Sequence, residues 1–325
     1  MSRQQRSPII QILLVLIAVL FVADMIVIGL CLKTPGGTKS NQKPSASQGN
    51  SNTPSPTDGT EAPTEEAPQL VSTATVLSTG DILMHGKVIN SGKQDDGSYN
   101  FDSIFQYVKS YSQAADFSVA NLETTLCGTD NGYAYAGNPK FNCPDAIVDS
   151  LKGAGFDMLL TANNHADDTS LVGYKRTLNV VREKGLDTLG TYLSADEQKW
   201  TIEEVNGIKI GMVCYTWAYG SNGTSFSLNG LTPIKDEGQM NYFLNNDPGK
   251  LYTASEQILE QMKADGAEAT MMFIHWGVEY NIKENSLQDT MAQKLCDLGF
   301  DVIVGGHPHV VQPVDLLTST VDPDH

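Results

Sequence analysis

Positive charge is what this sequence has least of. Its 325 residues carry 21 Lys and Arg against 38 Asp and Glu, a formal net charge of −17. Such a surface repels nucleic acid and anionic lipid headgroups, so no nucleic-acid partner is expected. Cysteine is scarce too, at five residues. No Cys-x-x-Cys pair occurs, which argues against a thiolate zinc site. Cys127 and Cys143 flank a Gly- and Tyr-rich loop and are candidates for an external disulfide, whereas Cys214 and Cys296 lie in apolar segments and read as buried thiols.

One long apolar run is present, Pro8–Leu32. It is long enough to cross a bilayer, which takes roughly 20 apolar residues. Arg3 and Arg6 precede it and few basic residues follow closely. The positive-inside rule then puts 1–7 in the cytoplasm and residue 33 onward outside. Asp24 is costly within such a span; it pairs with a membrane-protein partner, or it is protonated or near water, and the second reading is favoured. A cleaved signal peptide is the alternative. The run lacks a small-x-small cleavage site and is long for a signal, which favours an uncleaved anchor. Residues 33–70, rich in Pro, Ser, Thr, Gly and Asn, read as a disordered stalk. Residues 1–70 hold five basic and five acidic side chains, so the whole negative charge falls on 71–325, a segment large enough to bury a core.

That segment repeats one pattern five times: a short strand-like apolar run ending in polar residues. Ala74–Ser78 leads to Gly80-Asp81, with His85 after it. Phe117–Ala120 leads to Asn121-Leu122-Glu123, and Phe156–Ala162 to Asn163-Asn164-His165 with Asp168 following. Ala269–Ile274 leads to His275-Trp276-Gly277 and then Glu279-Tyr280. Phe300–Val304 leads to Gly305-Gly306-His307-Pro308-His309. Helical periodicity appears over Asp145–Gly153, Tyr174–Lys184, Ser255–Ala264 and Leu287–Leu298. Val205-Asn206-Gly207-Ile208 signals a hairpin. The prediction is an α/β domain with a mixed sheet and with ligands bound at the strand C-terminal ends.

Five of the six histidines lie in these clusters; the sixth is His325. With Asp, Glu and Asn they form a borderline-to-hard ligand set. It is large enough for two divalent ions (Mn, Fe or Zn) that share a carboxylate, ~3.5–4 Å apart in two-metal sites. Trp276 and Tyr280 read as packing residues beside the ligands.

The motifs GD, ANLE, ANNHxxD, HWGxEY and GGHPHVxQP, in this order across about 74–315, resemble the bacterial CapA family, associated with poly-γ-glutamate capsule synthesis. That family is similar in turn to the calcineurin-like metallophosphoesterases. The resemblance implies a four-layer α/β/β/α sandwich with a dinuclear centre. It casts Asp81, Glu123, Asn164, His275, His307 and His309 as metal ligands, with Glu123 bridging, and His165 as the proton donor to the leaving oxygen. His85 stands outside this set, because the phosphoesterase pattern has its His two residues after the Asp and here the separation is four. Asp168 and Glu279 are candidates to support the ligands. Two departures stand out. Ser170 replaces a common Gly, which bears on a tight turn. Family members also usually continue past the position of His325 with another strand, so a C-terminally truncated chain is an expectation.

The expected function is a phosphoesterase-type hydrolase in capsule or envelope polymer metabolism, acting on a phosphoester or on poly-γ-glutamate. The alternatives are a non-catalytic polyanion-binding component of an export machine and an amidohydrolase of glutamyl bonds.

Overall fold

The computed structural model describes residues 26–33, 71–220, 225–230, 233–323 and 325. The strands are β1 (Ile26–Lys33), β2 (Val71–Asp81), β3 (Phe117–Asn121), β4 (Met158–Leu160), β5 (Asp187–Leu189), β6 (Thr201–Val205), β7 (Ile208–Gly220), β8 (Ser225–Ser227), β9 (Ile234–Lys235), β10 (Tyr242–Leu244), β11 (Ala269–His275) and β12 (Val302–Gly306). The helices are α1 (Gly86–Ser91), α2 (Asp102–Phe105), α3 (Lys109–Ser112), α4 (Ala146–Ala154), α5 (Ser170–Glu183), α6 (Gly249–Ala264) and α7 (Ser286–Leu298).

The first sheet has the order β1-β2-β3-β4-β5, parallel from β2 onward. The second runs β12-β11-β7-β8-β9, with β6 and β10 also paired to β7. Alternation along the strands sorts the core into layers. Val119, Met158 and Leu160 of the first sheet meet Ile210, Met212, Met271 and Phe273 of the second in one buried cluster. Their sequence neighbours point the other way. Ala120 and Leu159 pack under Ile147 and Leu151 of α4 and Val181 of α5. Val213, Met272 and Ile274 pack under Leu259 of α6 and Leu295 of α7. The result is a mixed α/β domain of two face-to-face sheets with helices on both outer faces, as expected.

The hairpin at 205–208 forms as read. Asn206 and Gly207 both take positive φ, 51° and 79°, the requirement of a tight I′ turn. α4 and α7 each end on a left-handed glycine, Gly155 and Gly299, and Asn285 closes a capping box at the start of α7.

Two expectations come out differently, and others fall on residues not described. The expected cytoplasmic tail at 1–7, most of the span at 8–32 and nearly all of the stalk lie outside the described residues. The end of that span, Ile26–Leu32, belongs to strand β1 and pairs antiparallel with β2, so a helix does not run through it. Short β-branched apolar runs suit a strand as well as a span, and periodicity does not separate them. Among the described residues no helix is long and apolar enough to cross a membrane.

Cys127 and Cys143 are buried free thiols rather than a disulfide. Cys143 pairs its backbone N–H with Thr125 O and packs in the α4-side core, while Cys127 faces Gly173 of α5. Sequence spacing brings the two loop ends together but does not aim their side chains. Cys214 and Cys296 are buried thiols, and burial pushes the Cys214 thiol up to about 12.

Ser170 matters as the sequence suggests. It sits at φ 61°, a region where a side chain is strained. Ser170→Gly is therefore expected to stabilise the fold by about 1 kcal/mol, even with loss of the 2.9 Å Tyr133 Oη contact to Ser170 Oγ. Urea unfolding checks it; an unchanged or lower midpoint counts against the strain argument.

Candidate metal centre

The parallel strands of both sheets deliver their polar ends to one place. A register shift between Thr79 and Asp81 turns Asp81 opposite Asn121. Glu123 lies just past β3 and Asn164 just past β4. On the other sheet, His275 ends β11 opposite Gly306 of β12, and His307 and His309 follow. Both of these histidines hold positive φ, 94° and 55°. Non-glycine residues adopt this conformation only where surrounding structure compels it, commonly at functional sites.

The six expected ligands are brought together. Their donor atoms fall into overlapping groups within 4.8 Å: Asp81, Glu123 and His309; Glu123, His275 and His307; and Glu279, His307 and His309. Glu123 is common to the first two. Asn164 Oδ1 lies 2.7 Å from His275 Nε2, which adds an amide oxygen to the second group. Asp81 Oδ2 sits 2.9 Å from His309 Nδ1, and Asn121 Nδ2 donates to Asp81 Oδ1 at 2.7 Å.

The electrostatics are those of a cation site. Glu123 is fully buried and its Oε1 has no hydrogen-bond partner, although His275 Nε2 lies 3.5 Å away. His307 Nδ1 is buried and likewise unpartnered. Such orphans are rare and call for an explanation. Burial first, then the charge of Asp81, push Glu123 well above the usual carboxylate range. Burial also pushes His275 well down, and His307 down to about 4, with neighbouring imidazoles adding to the effect. Burial opposes the ionisation of Asp81, but the His309 hydrogen bond and the charge of His275 outweigh it and hold Asp81 below the usual range. A buried carboxylate resists ionising here, and neutral imidazoles crowd it with lone pairs available. Divalent cations would satisfy both, so the residues fit the ions expected from the sequence.

His165 is placed beside this cluster, not within it. Its Nδ1 lies 2.7 Å from Asp168 Oδ2, and that same oxygen accepts from Phe141 N at 2.6 Å. The Phe141 ring meets His165 edge-on at 4.6 Å. Asp168 is thus a direct partner of the expected proton donor. His85 is exposed and joins no ligand group among the described residues; it stands at the N-cap position of α1 without a side-chain capping bond, and its ring centroid lies 5.1 Å from that of Phe141. Glu279, expected as a support, is instead within ligand range of His307 and His309. Trp276 packs in the core as read, but Tyr280 is 68% exposed, its ring 5.9 Å from His309.

Three amides were not singled out as site residues from the sequence. Asn121 touches Asp81 and Glu123, at 2.7 and 3.5 Å. Asn163 donates to Asn121 Oδ1 and fixes the turn that carries Asn164. Asn229, at φ 48°, accepts from Asn164 Nδ2 at 2.8 Å and reaches both ring nitrogens of His165, at 3.3 and 3.4 Å. The only signal for it was the Asn229-Gly230 turn dipeptide.

The loop glycines are part of the construction. A Cβ on Gly305 would meet Trp276 Nε1 at 2.6 Å, next to His275. Gly305→Ala is expected to lower unfolding stability by about 1–3 kcal/mol through overpacking, and to weaken metal binding. Denaturant titration with and without Mn²⁺ measures both; a variant as stable as wild type would show that Trp276 has room to move.

Comparison with known proteins follows the geometry. The chain matches the model of the family described as "Bacterial capsule synthesis protein PGA_cap" over residues 75–321. It is 30% identical to the PGA biosynthesis protein CapA of Bacillus subtilis (strain 168) over 224 residues, 68% of this chain and 54% of that protein. It is 29% identical to the capsule biosynthesis protein CapA of Bacillus anthracis over 227 residues, 67% of this chain and 51% of that one. The chain spans about half the length of the curated relatives it matches.

Proposed function

The chain belongs to the bacterial capsule synthesis protein family, and from that premise we propose that it is a metal-dependent hydrolase of phosphoesterase type. Its field of action would be poly-γ-glutamate or another envelope polymer, outside the cytoplasm. The observation that carries the reading is the sharing of Glu123 by two ligand groups, with the His165–Asp168 pair alongside. The two packed sheets with outer helices support the likeness to metallophosphoesterases seen in the motifs. Anchoring would rest on the apolar run that begins at Pro8.

Asp81, Glu123 and His309 would hold one ion, and Glu123, Asn164, His275 and His307 the other. When bound, two such ions supply Lewis-acid polarisation of an ester and activation of water near neutral pH. The protein's own part is positional. Asp168 holds His165 Nδ1, which leaves Nε2 to pass a proton to the leaving oxygen. Asn229 steadies both Asn164 and the His165 ring. The side chains meeting in the cluster are acids, amides and imidazoles, so attraction for an anionic substrate comes with the ions.

The test uses the full chain in detergent. Its Mn, Fe and Zn content is measured, and it is assayed on phosphate mono- and diesters beside poly-γ-glutamate. Turnover that stops on chelation and returns with Mn²⁺ is the expected result. Metal binding with tight polymer retention and no turnover overturns the hydrolase in favour of a binding component of an export complex. Cleavage confined to glutamyl amide bonds makes it an amidohydrolase.

A further inference from the structure

The first ion group offers only three donors, Asp81, Glu123 and His309, whereas the second gains Asn164 as a fourth. The histidine that follows Asp81 in sequence, His85, is exposed and outside every group. Another residue stands close by. Glu279 presents a carboxylate within 4.8 Å of donor atoms of both His307 and His309, and its charge is felt at Glu123.

Its loop is built to hold it there. Gly277 and Tyr280 take φ 96° and 60°, which folds the chain tightly on either side of Glu279. Trp276 N donates to Gly306 O at 3.1 Å, and Tyr280 N donates to Pro308 O at 2.7 Å. Two backbone hydrogen bonds therefore lace the 276–280 loop to the 306–309 loop, with Glu279 between them. Gly277 packs so closely on Gln288 of α7 that a Cβ would fall 2.8 Å from its Nε2. The unpartnered, buried Nδ1 of His307 belongs to the same locality.

We propose that Glu279 is a metal ligand, completing the ion set of Asp81, Glu123 and His309 from the β11 loop of the second sheet. This rests on the dinuclear reading above and adds a ligand to it. The two ions are then chemically unlike. The first meets three carboxylates and one imidazole, a hard set suited to Mn²⁺ or Mg²⁺. The second meets one carboxylate, one amide and two imidazoles, a set that accepts Zn²⁺ or Fe²⁺ more readily.

The full chain in detergent, freed of metal by chelation and reloaded with Mn²⁺, provides the test. Bound Mn is counted by mass spectrometry after desalting, and electron paramagnetic resonance distinguishes coupled from isolated ions. Wild type is expected to hold two ions with a coupled spectrum. Glu279→Gln is expected to bind one of them ~100-fold more weakly and to give an isolated-ion spectrum, with an unchanged melting temperature in EDTA because Glu279 is exposed. His85→Ala is expected to keep both ions. Two ions at wild-type affinity in Glu279→Gln overturn this inference and leave the dinuclear reading standing. So does loss of one ion in His85→Ala, which would assign the position to His85. A wild-type chain that binds fewer than two ions overturns the dinuclear reading, and this inference with it.

Discussion

Glu123→Gln is expected to strip both ions from the protein and, in the same molecule, to raise the stability of the metal-free chain. The loss of both follows from Glu123 being the one residue shared by the two groups. Asp81→Ala, by contrast, touches only the first. The gain in stability follows from burial. Glu123 is fully enclosed, its Oε1 lacks a partner, and its pKa is raised well above 4.5 in the fold. A carboxyl raised in the folded state stabilises below the unfolded pKa, and that contribution is lost as pH climbs through the folded value. Gln does not ionise and escapes this loss, so its advantage in EDTA should grow with pH above 4.5. Gln keeps a polar head of the same size, so the gain is the avoided cost of a buried, unpaired charge, about 1–3 kcal/mol. Mn²⁺ at a thousand times its Kd adds about 4 kcal/mol per site to wild type and nothing to the variant. Melting curves should therefore rank the two proteins in opposite orders in EDTA and in Mn²⁺. A variant less stable than wild type in EDTA, or one that still holds an ion, would refute the argument.

The second large effect is expected at His165. His165→Ala should lower kcat by about 10²–10⁴, the usual worth of a positioned general acid, with KM and metal content unchanged. Its position beside the ligands rather than among them is the reason the two properties separate. The deficit should be largest for alkyl esters and shrink for p-nitrophenyl esters, whose leaving group needs no proton. Asp168→Asn should show the same dependence with a smaller loss, since the amide can still accept from Phe141 N but no longer stabilises a charged imidazole. An equal loss on good and poor leaving groups would remove the proton-donor role, and a loss of bound metal would make His165 a ligand instead.

The centre was legible in the sequence because strand-end chemistry is local. Asp81, Glu123, Asn164, His275, His307 and His309 each follow a short apolar run, and parallel strands carry such ends to one edge. The layering was legible for the same reason: alternation in β3, β7 and β11 sorts Val119, Met212 and Phe273 inward between the sheets. What escaped depends on direction rather than pattern. Asn121, Asn163 and Asn229 look like ordinary turn residues until the sheet packing shows which carboxylate or imidazole each faces. Glu279 was legible as a candidate beside the ligands, but its place near His309 rests on the backbone bonds from Trp276 and Tyr280 to the neighbouring loop. Cys127 and Cys143 went the opposite way, since loop spacing suggested a bond and both are buried free thiols. The strand at Ile26–Lys33 escaped because β-branched apolar runs satisfy two templates equally.

The division of ligands between the two sheets also orders events in the life of the chain. Asp81, Glu123 and Asn164 stand at or just past the ends of β2, β3 and β4, and His275, His307 and His309 come much later in the chain, at the end of β11 and after β12. A polypeptide emerging N-terminus first from a ribosome or a secretion channel has its acids in place long before the imidazoles that face them exist as folded structure. On the dinuclear reading, no partial chain would hold an ion with full affinity, and capture would wait until β12 has docked on β11. On that reading, the metal acquired would be set by the compartment in which β11 and β12 fold, whatever ions the chain met earlier on its route.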